Sequence, residues 1–538
     1  MGSGNTFKRN AGILMAISSL PSPYGIGTLG KDAYDFVNFV RDTNHKYWQV
    51  LPVGPTTYGD SPYQPYSAFA GNPYFVDLDV LIEDGLLLKS EVLAVDWGDG
   101  FIPVNVSEDD ALNNRFPVNY DGYLGDDRYV SYEKMYNVRF AILRKAYERF
   151  KEQCVKAKSV LDKGLPIYKK FDNFVKDNAD WLKDYSMFMS LKANFDQKSW
   201  GEWDDDKFRR ADAMKKYEQE LADDIGYWNF IQYEFYTQWN RLKEYANSNG
   251  IEIIGDIPIY MGYDSVDVWA NQGEFQLDEN LTPVKVAGVP PDAFSDKGQK
   301  WGNPLYDWDK MESDGFLWWR KRMKNSARLY DVIRIDHFLG IIKYYTIPYD
   351  MPDARQGSYE QGPGQKLLDA INESIGDKKI IAEDLGVSIP EVEQVLEHNN
   401  YPGMKVLEFA FGGDRKNPHL PYNYTRNCIC YGGTHDNETL LGFFNERNDG
   451  ELGFAYDYLD TRDKHRMVDM VFRAAYSSVA VITIFAVQDI LKLDNAARMN
   501  FPSSLGNNWK WRMKKGQLNW DYLNAMKYLA SVFDRERK

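Results

Sequence analysis

The chain has 538 residues, of which 43% are hydrophobic and 27% are charged, close to the balance of an ordinary globular protein. Its 64 basic and 79 acidic residues give a net charge of −15, so most of the surface would repel a nucleic-acid backbone or an anionic membrane. The length excludes a small peptide module, and the charge argues against nucleic acid or a membrane as the main partner.

The cysteine content argues against disulfides and a zinc site. Cys154, Cys428 and Cys430 are too few and too unevenly spaced for either. We therefore expect a reducing cytoplasmic location and no metal. The longest apolar stretch, residues 479–487, is about half of the roughly 20 residues that a membrane-spanning helix needs.

Eight short apolar segments that end in polar residues predict eight strands, at residues 13–17, 47–53, 251–256, 332–336, 379–384, 404–409, 428–434 and 481–487. Segments with helical periodicity lie between them, for example at residues 315–329, 365–375 and 390–398. This alternation indicates an α/β fold with a parallel sheet covered by helices. Because no G-x-G-x-x-G motif follows a strand, eight such units favour a (β/α)8 TIM barrel over an open doubly wound sheet.

Two long segments interrupt the alternation within what we expect to be one catalytic unit over residues 1–538. Residues 85–249 are largely charged, aromatic and helix-periodic, which predicts a mostly helical subdomain. Residues 258–310 are rich in Gly and Pro and predict a lid loop.

Acidic residues end three of the predicted strands. In the fourth, V-I-R-I-D-H, strand alternation puts Arg334 and Asp336 on one face and His337 on the other. A guanidinium beside Asp336 favours its ionised form, which a carboxylate nucleophile requires. The alternative is an ordinary structural ion pair.

The fifth and seventh predicted strands also end in polar residues that could be either catalytic or structural. Glu383 and Asp384 end the fifth strand and must point to opposite faces, so only one can enter the barrel mouth, and spacing alone does not choose between them. His435, Asp436 and Asn437 follow the seventh strand, where helix capping is an alternative for the last two.

Asp336 and Glu383 lie one βα unit apart, and Asp436 lies two units further along. In βα barrels such strand ends meet at the active site. One ionised and one protonated carboxyl flanking a bond are the equipment of glycoside chemistry. A third acid with an Arg and a His would then stabilise an oxocarbenium-like centre.

Long motifs over nearly the whole chain resemble glycoside hydrolase family 77 of the α-amylase clan, the 4-α-glucanotransferases called amylomaltases or disproportionating enzymes. They include S-S-L-P-S-P-Y-G-I-G-T-L-G at 18–30, W-Q-V-L-P-V-G-P-T-T-Y-G-D-S-P-Y-Q at 48–64, G-D-I-P-I-Y at 255–260, and N-A-A-R-M-N-F-P with N-W-K-W-R within 495–512. The resemblance implies that Asp336 is the nucleophile, Glu383 the general acid/base and Asp436 the transition-state stabiliser.

The same resemblance implies a set of substrate-binding residues. Tyr63 would stack on the donor-side sugar, and Asp256 would support the pocket. The full expected set is Tyr63, Asp256, Phe294, Trp301, Asn303, Arg334, His337 and His435.

The lid segment departs from the family pattern. The family commonly has an aromatic residue after G-V-P-P-D, whereas this chain has Ala293 before Phe294. Phe294 and Trp301 would then carry the acceptor-side stacking, and we expect an altered preference for acceptor length. Tyr58 resembles a position that contacts long glucans outside the cleft in some relatives, with an ordinary exposed tyrosine as the alternative.

The activity implied by the resemblance is retaining transfer of α-1,4-glucan segments to the 4-hydroxyl of an acceptor. Malto-oligosaccharides, starch or glycogen would be donors, glucans or glucose would be acceptors, and no cofactor is required. One alternative is an α-1,4-glucan hydrolase of the same clan. The other is a non-catalytic glucan-binding protein, which the presence of all three acids disfavours.

Overall fold

The computed structural model describes residues 5–57, 59–113, 115, 125, 127–159, 167–291, 295–386, 389–504 and 506–537. Three residues singled out from the sequence, Tyr58, Ala293 and Phe294, lie outside this part of the chain.

The described residues contain twelve strands. They are β1 (Asn10–Leu14), β2 (Tyr47–Gln49), β3 (Glu252–Ile257), β4 (Lys285–Val289), β5 (Gln299–Pro304), β6 (Val332–Ile335), β7 (Lys343–Pro348), β8 (Ser358–Gln361), β9 (Lys379–Ala382), β10 (Gly403–Val406), β11 (Cys428–Tyr431) and β12 (Ile482–Ala486).

Eight of these strands form one parallel sheet in the order β10-β11-β12-β1-β2-β3-β6-β9. Its two ends meet, because the Ala382 amide at the end of β9 donates to the Pro402 carbonyl just before β10, at 3.1 Å. The sheet is therefore a nearly closed barrel, as the sequence predicted.

Each of the eight predicted strands overlaps a barrel strand. The first begins earlier than predicted, at Asn10, because Asn10–Leu14 pairs in parallel register with Ile482–Ala486. Apolar residues continue past Leu14, but Ile17 already begins a short 3-10 turn. An apolar run thus locates a buried strand without fixing its end.

Helices in the described residues cover the barrel and build its insertions. They are α1 (Lys31–Asp42), α2 (Leu78–Glu83), α3 (Lys89–Leu93), α4 (Glu108–Leu112), α5 (Tyr132–Ser159), α6 (Ile167–Asp177), α7 (Ala179–Asn194), α8 (Ala211–Glu220), α9 (Ala222–Ser248), α10 (Val266–Ala270), α11 (Trp308–Ser313), α12 (Leu317–Leu329), α13 (Leu339–Ile342), α14 (Gln365–Ile375), α15 (Pro390–Asn399), α16 (Leu440–Asn445), α17 (Gly453–Leu459), α18 (Lys464–Ser477), α19 (Val487–Ile490) and α20 (Trp520–Val532).

The described part of the long insertion between β2 and β3 contains the helices α3 to α9 between residues 89 and 248, joined by loops and short 3-10 turns. Whether residues 85–249 are a separate subdomain, and whether residues 1–538 act as one unit, stay predictions. No helix within the described ranges is long and apolar enough to cross a membrane.

The predicted lid segment is not a loop throughout, which corrects the expectation for residues 258–310. It contains β4 and β5, which join β7 and β8 in a four-stranded antiparallel sheet of order β5-β4-β7-β8. A Cβ on Gly288 would lie 2.1 Å from the Gln299 carbonyl oxygen of the paired strand. This glycine therefore permits close strand pairing and does not mark a loop.

Side chains alternate between the barrel interior and the layer beneath the helices. Along β6, Val332 packs with interior residues such as Leu14 and Ile381. Ile333 and Ile335 belong to the larger core, which also contains helix residues such as Met323. Since alternate residues share a face, Arg334 lies inside the barrel.

Candidate active site

A buried ion-pair network forms the floor of the barrel mouth. Arg334 Nη1 donates to both carboxylate oxygens of Asp256 at 2.7 Å and to Asp336 Oδ1 at 3.0 Å. The Arg334 and Asp256 side chains are 4% and 0% exposed, whereas that of Asp336 is 26% exposed. Burial opposes the charge of Arg334, but the two carboxylates raise its pKa well above the ordinary value. Asp336 is therefore the acid of this network that opens to the cleft.

Glu383, which follows β9, lies at the same opening, whereas the side chain of Asp384 points away from it. Asp384 Oδ1 accepts from the Met404 amide of β10 at 2.7 Å. The Glu383 carboxylate accepts from the amides of His337 at 2.8 Å and Leu385 at 3.1 Å. This answers the question that spacing left open, because the Glu383 side chain faces the Asp336 loop.

The surroundings of Glu383 favour its protonated form. Burial, and then the ionised Asp336, raise the pKa of Glu383 to about 7, against the opposing effects of Arg334 and the His337 amide. Glu383 and Asp336 thus have different surroundings, although both are carboxyls at neighbouring strand ends.

Asp436 is the third acid, and it is held from two sides. Its Oδ2 lies 3.4 Å from His435 Nε2, and its Oδ1 accepts from Asn500 Nδ2 at 2.6 Å. Desolvation in the cleft opposes its charge, but His435 and Asn500 outweigh this and lower the pKa of Asp436 to about 2. With its side chain 47% exposed, Asp436 presents a fixed anion to the cleft.

Tyr63 connects the ion-pair network to the third acid. Its hydroxyl donates to Asp256 Oδ2 at 2.9 Å and lies 3.2 Å from His435 Nδ1. The Tyr63 and His435 rings stack with centroids 4.7 Å apart and planes 19° apart. The flat ring is therefore fixed beside Asp436, as stacking on a sugar requires.

His337 and Trp301 line the Glu383 side of the mouth. Their rings meet edge to face with centroids 4.9 Å apart, and Trp301 is carried by β5 of the antiparallel sheet. Asn303 is on the same strand but is buried, and within the described residues no hydrogen bond joins its side chain to the acids. Its predicted contact with substrate stays a prediction, and Phe294 lies outside the described residues.

Sequence reasoning assigned no role to Arg498 and Asn500, which both bind Asp436. Arg498 Nη2 donates to the Asp436 carbonyl at 2.7 Å, and Asn500 donates to its carboxylate. Both come from the loop after β12, in the N-A-A-R-M-N-F-P motif. The position of this motif after β12, the last barrel strand, is the sequence feature that could have indicated their role.

The arrangement combines a carboxyl beside a guanidinium, a carboxyl whose pKa is raised and a third carboxyl whose pKa is lowered at one cleft. These are the parts needed to attack an acetal carbon, protonate its leaving oxygen and stabilise positive charge between them. Among the described residues, no group of three or more His, Cys, Asp or Glu side chains could hold a metal ion.

Comparison with known proteins gives full-length matches. The sequence profile of a family described as 4-alpha-glucanotransferase matches residues 15–519. The 4-alpha-glucanotransferase of Clostridium butyricum is 43% identical, covering 97% of this chain and 100% of that protein. That of Streptococcus pneumoniae serotype 4 is 42% identical, covering 98% of each.

A solved structure agrees with these sequences. The amylomaltase from Streptococcus agalactiae in complex with acarbose matches with a TM-score of 0.87 at 38% identity, covering 98% of this chain and 100% of that one. These relatives are named for transfer, which favours transfer over the hydrolase alternative.

Proposed function

This chain belongs to glycoside hydrolase family 77, the 4-alpha-glucanotransferases, and on that premise we propose how its residues perform the transfer. The activity is retaining transfer of an α-1,4-glucan segment from a donor glucan to an acceptor. We assign Asp336 as nucleophile, Glu383 as general acid/base and Asp436 as transition-state stabiliser.

The first step breaks the donor chain. A carboxylate oxygen of Asp336 attacks the anomeric carbon and forms an ester bond, while the bond from that carbon to the glycosidic oxygen breaks. Glu383 gives its proton to the departing oxygen, so the shortened glucan leaves as a neutral alcohol. The raised pKa of Glu383, about 7, supports this role because the proton is available at neutral pH.

The second step reverses the first with a new partner. Glu383, now ionised, takes the proton from the 4-hydroxyl of the acceptor, whose oxygen attacks the anomeric carbon. The ester bond to Asp336 breaks and the carboxylate is restored. Two inversions give net retention of configuration.

Asp436 and Arg334 provide electrostatic stabilisation in both steps. The fixed anion of Asp436 stabilises the partial positive charge that develops on the sugar ring. Arg334 offsets the repulsion between the nearby Asp336 and Asp256 carboxylates, since its guanidinium donates hydrogen bonds to both. The observation that carries the proposal is that Asp336, Glu383 and Asp436, which follow three different barrel strands, lie around one opening.

Water competes with the sugar acceptor at roughly 55 M, so transfer depends on positioning. Effective molarities of about 10⁵ M or more show that an oriented acceptor can outcompete water. Trp301 and His337 are the described residues that support acceptor binding, from the side next to Glu383. We further propose that malto-oligosaccharides, starch or glycogen are donors, that glucose is an acceptor, and that the enzyme acts in the cytoplasm.

Maltotriose as the single substrate tests the proposal. We expect a ladder of longer glucans together with glucose, measured by chromatography of the products over time. An Asp336→Asn variant, which has nearly the same shape but lacks the nucleophilic carboxylate, is expected to form no ladder. Products that only become shorter would instead indicate a hydrolase.

A further inference from the structure

We propose that Phe501 is a binding platform for a glucosyl unit of the donor chain, next to the unit beside Asp436, and that Arg498 holds the Phe501 ring in place. The inference rests on the proposed function, since its ligand is the donor glucan of that reaction. It adds a second donor-side contact beyond Tyr63.

One guanidinium links the Phe501 ring to the third acid. Arg498 Nη2 donates to the Asp436 carbonyl at 2.7 Å, and Arg498 Cζ lies 3.9 Å from the centre of the Phe501 ring. The ring is therefore separated from the Asp436 main chain only by the breadth of a guanidinium.

Asn500 provides a second link between Asp436 and Phe501. Its side chain donates to the Asp436 carboxylate at 2.6 Å, and its carbonyl accepts from Arg498 Nε at 2.8 Å. Because Phe501 follows Asn500 directly, its backbone is anchored to the cleft by a neighbour that touches the catalytic anion.

The backbone of Phe501 is fixed on its other side as well. The Phe501 amide donates to Asn508 Oδ1 at 2.9 Å, and its carbonyl accepts from Ser504 Oγ at 2.7 Å. The residue is nevertheless 49% exposed. An aromatic ring that is rigid and yet open to solvent loses little conformational entropy when a ligand covers it.

The chemistry of the ring suits a pyranose. A sugar ring presents a face of C–H groups that packs on a flat aromatic surface, while its hydroxyls remain hydrogen bonded at the edge. The Arg498 guanidinium lies over one face of Phe501, so the exposed part of the ring remains for the ligand.

The position of Phe501 assigns it to the donor side. Trp301 contacts His337, whose amide binds Glu383, so that aromatic pair lies where the leaving group and acceptor meet their proton. Phe501 is linked instead to Asp436, next to the sugar that forms the covalent intermediate.

The kinetics of donor binding provide the test. The values of kcat and KM are measured with maltotriose and with maltoheptaose as donor and labelled glucose as acceptor, for the wild type and for Phe501→Ala, Phe501→Leu and Phe501→Tyr. We expect Phe501→Ala to raise the KM for maltoheptaose about five- to tenfold, with kcat within about twofold of the wild type. Phe501→Leu should be as poor as alanine, because it keeps apolar volume without a flat ring, and Phe501→Tyr should restore the wild-type KM.

Tyr528→Ala is the matched control, because Tyr528 is 60% exposed on α20 and contacts none of the acids. It is expected to change neither constant. If wild-type enzyme makes the maltotriose ladder but Phe501→Ala keeps the wild-type KM for both donors, the platform is wrong and the proposed function stands. If the wild type makes no ladder, the proposed function itself fails. A loss confined to kcat would also overturn the platform.

Discussion

At the scale of single residues, the candidate site combines three carboxyls that have different surroundings. Glu383 is buried beside an anion and has a pKa raised to about 7, whereas Asp436 is bound by His435 and Asn500 and has a pKa lowered to about 2. A proton donor and a fixed anion therefore coexist in one cleft at neutral pH.

The raised pKa of Glu383 predicts a loss of activity on the alkaline side. The first step needs the protonated form, which disappears as pH rises through about 7. We expect kcat/KM for maltotriose to fall about tenfold for each pH unit well above that value. α-Maltosyl fluoride is the control substrate, because fluoride departs without a proton and its first step should lack this decline. A flat profile to pH 9 with maltotriose would exclude Glu383 as the acid.

Asn500 should matter to turnover through Asp436. Replacing Asn500 with Ala removes a hydrogen bond to a charged group, which contributes about 1.5–3 kcal/mol, so kcat should fall about 10- to 100-fold. Asn500→Asp should lose more, because a carboxylate would then face Asp436. Steady-state kinetics on maltotriose, with circular dichroism to check folding, make the measurement. Wild-type kcat in the Ala variant would show that Asp436 is held by His435 alone.

Part of this site was predictable from the sequence, and the rest depends on contacts between segments that are far apart in the chain. Strand alternation placed Arg334 and Asp336 on one face correctly. It could not choose between Glu383 and Asp384, because the choice depends on the Met404 amide of the next strand. Asn500 was missed because a residue in a loop has no periodicity that reports its direction.

At the scale of elements, strands in parallel sheets were easier to predict than antiparallel ones. The eight barrel strands are buried on both faces and read as apolar runs. In contrast, β8 is largely exposed, and β5 carries Gly and Pro at its end, so neither shows such a run. This is why the sequence pattern of residues 258–310 predicts a loop where β5, which carries Trp301, is a strand.

Gly403 should be required where β9 and β10 close the barrel. A Cβ at this position would lie 2.3 Å from Asp384 Oδ2. Gly403→Ala should lower the free energy of unfolding by about 1–3 kcal/mol, seen as a lower urea midpoint. Gly412→Ala is the control, because a Cβ there meets nothing within 4 Å and the backbone φ is −76°. Equal midpoints for the two variants would contradict this account of barrel closure.

At the scale of the whole molecule, the barrel brings together groups that are far apart in the chain. Asp256 lies near the end of β3, Asp336, Glu383 and Asp436 follow β6, β9 and β11, and the nearly closed sheet turns these strand ends toward one opening. The loop after β12 then returns with Arg498 and Asn500 to hold the last acid. Assembly of the candidate site therefore depends on the barrel, and the loop after β12 completes it.

Trapping the covalent intermediate tests the central claim most directly. In Glu383→Gln, α-maltosyl fluoride can still be attacked by Asp336, but no base remains to activate an acceptor, so the glycosyl-enzyme should accumulate. Intact mass spectrometry should show the protein heavier by one maltosyl unit, and peptide mapping should place it on Asp336. An unmodified protein after fluoride release, or a sugar attached to any other residue, would contradict the account.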